Sequence, residues 1–206
     1  YLPHEGASHL ATLEQRSPLR VLFPRPMAGD PPTAALVTIS GGLVGGDRLD
    51  IDVSAGENAS VLAIGQAAEK VYRSTGGEAE NRFSFEVGEN AAFEWLPQGT
   101  IVFDRAIFRQ QVRFDVASSA TMLAGAISVL GRTAMGEKVS SGRYREHWDF
   151  RRDGELVWAD RFDLGDAAAA AGPASSFRPY RLASGTISAR MRTTIPSVPS
   201  AARPSI

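Results

Sequence analysis

The sequence predicts a mostly β protein, a layered, β-helix-like stack of short antiparallel strands with one or two short helices. Three observations lead to this prediction. Short runs alternate apolar and polar residues, turn-forming residues separate the runs, and a faint repeat recurs along the chain. With 206 residues, of which 43% are hydrophobic, the chain is long enough to bury a substantial core.

The alternating runs are short, and each ends at a turn signal. Alternation places one set of side chains toward a core and the other toward solvent or a second layer, so each run is predicted to be a strand. The clearest runs are 49–53, 82–87, 112–116 and 156–164. The turn signals that separate them are 56–58, 76–77, 88–90, 118–119 and 153–154.

The repeat is carried by short turn segments. Residues 53–59 resemble residues 87–91, and a degraded third copy follows after 115. The shared alanines are Ala59, Ala91 and Ala120, which are 32 and 29 residues apart. Stacked units of two or three strands, each closing on a similar turn, would produce this pattern. Chance similarity among common turn residues is the alternative.

Helical signals are few. One helix is predicted from Ile127 into the 130s, and a weaker one over the alanines at 167–171. A single β-rich domain is expected over 1–165. An Ala/Pro/Ser-rich segment that is truncated or partly disordered is expected over 166–206.

Composition excludes several classes of function. Lys and Arg (22) balance Asp and Glu (23), so no basic excess favours nucleic acid as a partner. No uncharged stretch is long enough to cross a membrane and no signal peptide is visible, so a cytoplasmic protein is expected. The lack of cysteine excludes disulfides, iron–sulfur clusters and thiolate zinc sites. The three histidines, His4, His9 and His147, suggest neither a catalytic triad nor a metal site.

Carboxylates on predicted core faces are the main candidates for chemistry. Asp160 alternates in step with the large apolar residues of 156–164, and Asp47 does so with those of 49–53, while Glu137 is a weaker third case. A carboxylate on a core face needs an ion-pair partner, a metal or internal water. The structural interpretation is a salt bridge; the functional one is an acidic, water-lined path that holds a cation weakly through oxygen ligands. The arginines available for such salt bridges are Arg48, Arg132 and Arg161.

The glycine-rich run 41–47 is not a nucleotide-binding motif. It lacks the lysine and Ser/Thr of a phosphate loop, and it lacks the Gly-x-Gly-x-x-Gly order of a dinucleotide site. A structural turn that needs positive φ is the favoured interpretation.

Four ordered segments together resemble a known family. They contribute Gly41, Gly42, Gly45, Gly46 and Asp47; Lys70, Tyr72, Arg73 and Ser74; Trp95, Leu96, Pro97 and Gln98; and Gly131 and Arg132, followed by Glu137. In their order and spacing, from about Pro18 to Leu164, they resemble the urease accessory protein D family (UreD, called UreH in some bacteria).

The resemblance implies a non-enzymatic scaffold for the insertion of nickel into apo-urease. Its implied partners are apo-urease, urease accessory protein F and, through that protein, the GTPase urease accessory protein G. Nickel would be transferred cargo, and no permanently bound cofactor is implied. By matching segments, Asp47, Glu137 and Asp160 fall at acidic family positions that would form a weak nickel-transit route.

Two other functions remain open from the residues alone. A carbohydrate-active β-coil enzyme could use Asp47 and Asp160 as paired carboxylates, provided that they face an open cleft at catalytic separation. A decayed paralogue that only binds partners would take up no nickel.

Overall fold

The computed structural model describes residues 2–4, 7–27, 29–165, 180–183 and 187–194. Nearly all regular structure in this part of the chain is strand, and its one helix is a 3-10 turn at Thr133–Met135. The predicted mostly β, β-helix-like stack is therefore confirmed. Across the same residues, no helix is long and apolar enough to span a membrane.

The described residues form eighteen strands. They are β1 (Leu2–His4), β2 (Ala7–His9), β3 (Leu13–Glu14), β4 (Leu19–Leu22), β5 (Thr33–Thr38), β6 (Arg48–Ala55), β7 (Ser60–Gly65), β8 (Glu69–Val71), β9 (Ala79–Val87), β10 (Ala92–Leu96), β11 (Thr100–Val102), β12 (Ile107–Val116), β13 (Thr121–Ala124), β14 (Ser128–Leu130), β15 (Arg143–Arg152), β16 (Glu155–Leu164), β17 (Tyr180–Ala183) and β18 (Ile187–Thr194).

Three sheets form the walls of the stack. Sheet I has the strand order β16-β15-β12-β9-β6-β18-β3, sheet II the order β17-β13-β10-β7-β5-β4, and sheet III the order β14-β11-β8. One coil therefore runs from sheet I through sheet II to sheet III, as β6, β7 and β8 do. The next coils are β9 to β11 and β12 to β14, and each coil pairs with the one before it.

Strands of successive coils pair in parallel, so the prediction of antiparallel strands is wrong on this point. The turns at 56–58 and 88–90 do not fold a strand back onto its neighbour, because they carry the chain from sheet I to sheet II. Neighbouring strands that come from successive coils thus run in the same direction. The turn at 153–154 does form a hairpin, in which β16 pairs antiparallel with β15.

The strand register confirms the predicted repeat. Ala92 of β10 aligns with the residue 32 positions earlier in β7 and with Thr121, 29 positions later, in β13. At the corner before these strands, Ala92 N–H donates to the Ala59 carbonyl at 2.9 Å, and Thr121 N–H donates to the Ala91 carbonyl at 3.0 Å. The three alanines Ala59, Ala91 and Ala120 are all buried. Their small side chains allow successive turns to pack closely.

Aromatic side chains fill the core at one register position. Phe85, Phe114 and Phe150 align on β9, β12 and β15. Their ring centroids are 4.9 Å and 4.3 Å apart in sequence order, and all three residues are buried. Burial of each ring contributes about 1.5–3 kcal/mol, and ring stacking keeps the coils in a fixed register.

The helix predicted from Ile127 is wrong. Strand β14 and the 3-10 turn occupy this part of the chain. Gly131 has φ +73° and donates its N–H to the Val102 carbonyl at 2.7 Å, so the chain continues the ladder of sheet III instead of coiling into a helix. The weaker helix at 167–171 lies outside the described residues.

Most of the segment 166–206 lies outside the described residues. Its described part forms β17, which pairs antiparallel with β13, and β18, which pairs antiparallel with β6. The domain boundary at residue 165 and the disorder of the segment stay predictions.

Candidate functional site

Three of the four family-like segments form neighbouring layers at the corner between sheet III and sheet I. Leu43 forms a parallel bridge to Val71, Val71 aligns with Val102, and Val102 aligns with Leu130. After each of these positions the chain turns from sheet III toward sheet I. Segments that are remote in sequence therefore lie side by side at this corner.

Close packing explains the glycines of the turn before β6. A Cβ on Gly42 would lie 2.5 Å from the Lys70 carbonyl oxygen and 2.7 Å from the Tyr72 ring, and Gly42 has φ +140°. A Cβ on Gly45 would lie 2.5 Å from Ser74 Oγ. Contacts below 3 Å require the neighbour to move, so these contacts support the structural interpretation of the glycine run.

The segment after β8 is hydrogen-bonded to this glycine-rich turn. Leu43 N–H donates to the Lys70 carbonyl at 2.7 Å, and Tyr72 N–H donates to the Leu43 carbonyl at 2.9 Å. The Tyr72 hydroxyl donates to the Gly41 carbonyl at 3.1 Å. The side chain of Arg73, in contrast, is exposed and forms no ion pair within the described residues.

The segment that ends β10 lies at the corner between sheet II and sheet III. Trp95 is buried, with its ring centroid 5.1 Å from that of Phe85. Leu96 is partly exposed, and Pro97 and Gln98 form the turn that leads into β11. This segment therefore joins the aromatic core to an exposed turn.

Glu137 is held by the segment that follows β14. Arg132 donates to its carboxylate through Nε at 3.0 Å, through its second guanidinium nitrogen at 3.1 Å and through its backbone N–H at 2.9 Å. These hydrogen bonds hold the pKa of Glu137 below its usual value. The Arg132 guanidinium also lies 4.3 Å from the Phe103 ring centroid. The salt bridge that the structural interpretation expected is thus present for Glu137.

Asp47 and Asp160 take different positions. Asp47 closes the glycine-rich turn, where its carboxylate accepts the Val44 N–H at 2.9 Å and its own N–H donates to the Val44 carbonyl at 3.0 Å. Asp160 shares the half-buried face of β16 with Trp158 and Phe162, as its parity predicts. Arg161 does not pair with the Asp160 carboxylate, because its guanidinium donates to backbone carbonyls and to the carboxylate of Asp149.

The distance between these two carboxylates excludes them as a catalytic pair. Asp47 directly precedes β6, and four strand spacings separate β6 from β16 in sheet I, which is about 19 Å. The two carboxyl groups of a glycosidase lie about 5–9.5 Å apart. The paired-carboxylate enzyme is therefore wrong for Asp47 and Asp160. Within the part of the chain that the structure describes, no three His, Cys, Asp or Glu side chains are placed to share one metal ion.

Polar residues that the sequence analysis missed lie inside the stack. Asn81, Gln110 and Glu146 share one register position on β9, β12 and β15. Gln110 Nε2 donates to Glu146 Oε1 at 2.7 Å. Asn81 Oδ1 is buried and has no hydrogen-bond partner among the described residues.

A second polar row approaches the first from sheet III. Glu69, Thr100 and Ser128 share one register position on β8, β11 and β14. Ser128 Oγ lies 2.7 Å from the Tyr144 hydroxyl, which donates to Glu146 Oε2 at 2.6 Å. The two rows are therefore joined at Glu146. We call these six residues (Asn81, Gln110, Glu146, Glu69, Thr100 and Ser128) the polar seam.

A cavity of about 190 Å³ opens into the first two layers of the polar seam. Asn81 and Gln110 line it from sheet I, Glu69 and Thr100 line it from sheet III, and Pro97 lies among its lining residues. Burial raises the pKa of the Glu69 carboxyl, against the opposing effect of the hydrogen bond that it accepts from a threonine hydroxyl of β5 at 2.7 Å.

Parity could have revealed the first row of the polar seam. Asn81 alternates in step with Phe83 and Phe85, and Gln110 alternates in step with Phe108. Both side chains are neutral amides, so they stand apart from the carboxylates at the other inward-facing positions.

Comparison with known proteins gives a consistent result. The family model described as "UreD urease accessory protein" matches residues 1–194. The urease accessory protein UreD of Magnetococcus marinus is 42% identical over 164 residues, which cover 80% of this chain and 57% of the relative. The protein of the same name from Mesorhizobium japonicum is 43% identical over 161 residues, which cover 78% and 57%. The corresponding protein of Rhizobium leguminosarum bv. trifolii is 40% identical over 176 residues, which cover 81% and 64%.

The chain therefore spans 57–64% of the length of these curated relatives. The match to the family model covers most of the described stack, including the glycine-rich turn and the polar seam. On these grounds the chain belongs to the UreD urease accessory protein family.

Proposed function

We propose that this chain is a non-enzymatic scaffold for the insertion of nickel into apo-urease. It would act with urease accessory protein F and, through that protein, with the GTPase urease accessory protein G. Membership of the family and the names of the relatives as accessory proteins support this role. The observation that carries the nickel part of the proposal is the polar seam.

A polar seam is costly for folding alone. A buried polar group needs a hydrogen-bond partner, and Asn81 Oδ1, which has none among the described protein groups, lines the cavity, where a ligand or water can supply one. An apolar interior, like that formed by Phe85 and Phe114, would stabilise the stack without this cost. Polar groups at this register therefore favour a ligand that passes through the interior.

The chemistry of the polar seam suits a cation in transit. Neighbouring strands of one sheet lie about 4.8 Å apart, so the polar seam offers an oxygen ligand for a metal ion about every 5 Å. Amide, hydroxyl and carboxylate oxygens hold a divalent transition metal less tightly than imidazole or thiolate ligands. Ligands that bind the ion weakly and lie at short intervals favour its movement over its retention. Nickel would therefore be cargo and not a resident cofactor.

We assign Asp160 to the far end of this route. Glu146 is the last member of its row. In the β15–β16 hairpin Asp160 pairs directly with Trp148, which places it diagonally across from Glu146. Diagonal neighbours on one face are about 7–8 Å apart. Asp47 and Glu137, which the resemblance also assigns to nickel transit, lie at the corner between sheet III and sheet I, outside the polar seam.

Urease activation tests this proposal. Urease, its other accessory proteins and the full chain would be co-expressed in a host that lacks urease, and activity would be measured per mole of urease at limiting nickel. Glu146→Gln and Asp160→Asn are expected to reduce activation severalfold. Asp163→Asn is the matched control, because Asp163 lies on the exposed face of the same strand, and it should leave activation unchanged.

The outcomes separate the scaffold from the route. Normal activation with Glu146→Gln and with Asp160→Asn would exclude the route and leave the scaffold intact. Equal activation with and without the wild-type chain, together with no co-purification with accessory protein F or apo-urease, would exclude the scaffold. Complex formation without nickel uptake in equilibrium dialysis would favour a protein that only binds partners.

A further inference from the structure

Three arginines from three successive coils line one groove at the corner between sheet III and sheet I. Arg73 follows β8, Arg105 follows β11 and Arg132 follows β14, and the rings of Tyr72 and Phe103 lie between them. The rings meet edge to face with their centroids 5.0 Å apart. We call the three arginines the basic corner.

The positive charge of the basic corner is only partly neutralised. Arg132 is paired with Glu137, whereas Arg73 forms no ion pair within the described residues. Arg105 Nε lies 3.6 Å from Asp104 Oδ2, but 68% of the Arg105 side chain is exposed. Asp104 also accepts two backbone N–H groups of the loop before β15, at 2.6 and 3.2 Å. The groove is therefore locally cationic in a chain whose net charge is −1.

Folding alone does not account for Arg73 and Arg105. Tyr72 and Ser74 make the hydrogen bonds that hold the turn after β8, while the side chain of Arg73 between them is exposed. Arg105 has φ +61°, a left-handed conformation that glycine and asparagine adopt at lower cost. Turn geometry would thus favour a different residue at 105.

Two exposed apolar residues lie next to residues of the groove, one by strand register and one by a backbone hydrogen bond. Val44, next to Tyr72 in the stack, is 50% exposed. Met135, whose N–H donates to the Arg132 carbonyl at 2.7 Å, is 75% exposed. Arginine, aromatic residues and methionine are enriched in protein–protein interfaces. A binding site for a small free anion would need only the positive charges and not the apolar residues.

We propose that the basic corner is a docking surface for an acidic segment of a protein partner in urease maturation. Aspartate or glutamate side chains of that segment would be bound by Arg73 and Arg105, with Val44 and Met135 packing at the edge. Guanidinium groups bind carboxylates in bidentate geometry, which gives such a contact both affinity and orientation. This inference rests on the proposed scaffold role and adds the surface and the chemistry of the contact.

Binding measurements with charge-neutral variants test it. The full chain with Arg73→Gln and Arg105→Asn, an asparagine being tolerated at positive φ, would be titrated with purified accessory protein F and with apo-urease at low and high salt. The matched control carries Arg25→Gln and Arg113→Gln, which remove the same charge from the loop after β4 and from the outer face of sheet I. Arg73→Gln alone is the second variant, because position 73 is exposed and should not affect folding.

The expected result is a loss of affinity for one of the two partners of about tenfold or more at low salt, with a weaker salt dependence than wild type. The control should bind like wild type. If the double variant and the Arg73→Gln single variant both bound both partners with wild-type affinity, the docking surface would be overturned while the scaffold would stay intact. Failure of the wild-type chain to bind either partner would overturn the scaffold and the docking surface together.

Discussion

Replacement of Glu146 by leucine is expected to destabilise the protein by about 2–6 kcal/mol. The carboxylate accepts hydrogen bonds from Gln110 Nε2 at 2.7 Å, from Trp148 Nε1 at 2.9 Å and from the Tyr144 hydroxyl at 2.6 Å. Leucine would leave the two N–H donors unpaired, at about 1–3 kcal/mol each. The Tyr144 hydroxyl can turn to Ser128 Oγ, 2.7 Å away, and adds little to the loss.

Glutamine at position 146 is the matched comparison, with an expected loss of about 1 kcal/mol. Its oxygen can accept from Gln110 and Trp148, and its amide nitrogen can donate to the Tyr144 oxygen while that hydroxyl donates to Ser128. Every donor therefore keeps a partner, and only the strengthening that the negative charge supplies is lost.

Urea unfolding followed by tryptophan fluorescence measures both variants, since the chain has three tryptophans. The free energy of unfolding would be taken by linear extrapolation at pH 7. If leucine and glutamine at position 146 cost the same, or if leucine cost less than about 1 kcal/mol, the hydrogen bonds of this carboxylate would not be a main source of stability.

Three further changes have distinct expected outcomes. Because burial raises the pKa of Glu69, ionisation in the unfolded chain lowers stability as pH rises above about 4.5, so Glu69→Gln should raise the thermal midpoint at pH 7 but not at pH 4. Gly45→Ala, whose Cβ would lie 2.5 Å from Ser74 Oγ, should cost about 1–3 kcal/mol in urea unfolding, while Gly125→Ala, which meets nothing within 4 Å, should be nearly neutral. Backbone and hydroxyl hydrogen bonds lower the pKa of Asp104, so its contribution is present above pH 3.8 and is lost as pH falls through its folded pKa. Asp104→Ala should therefore cost about 1–2 kcal/mol at pH 7, with faster amide exchange in the loop that it caps, and the cost should decrease as pH falls below 3.8.

Local pattern predicted the strands but not their direction. Alternation over 49–53 and 112–116 identified two strands of sheet I, and the alanine spacing identified the offset between coils. The turn at 88–90 has the same chemistry whether the chain folds back in one sheet or passes to another. Only the spacing of 29 and 32 residues between equivalent strands indicates that these strands pair in parallel.

Parity placed Asp160 on the correct face but not Asp47 in the interior. Asp160 lies within β16, where alternation holds, whereas Asp47 lies in the turn before β6, where the period of two no longer applies. Parity could mark Asn81 and Gln110 as inward-facing, but the assembly of the polar seam was beyond sequence reasoning for a different reason. Asn81 and Glu146 come together only through the pairing of strands that are far apart in the chain, and no short-range pattern records that pairing.

The edge of sheet I formed by β16 has a consequence for assembly. Reversal of this strand does not by itself protect the edge, because β3 at the opposite edge runs in the same direction as β16. Any exposed edge strand offers unpaired backbone groups to a strand of another molecule, whichever way it runs. At the β16 edge, Arg161 and Asp163 lie on the exposed face of the strand, and charged side chains on an edge strand disfavour intermolecular sheet formation.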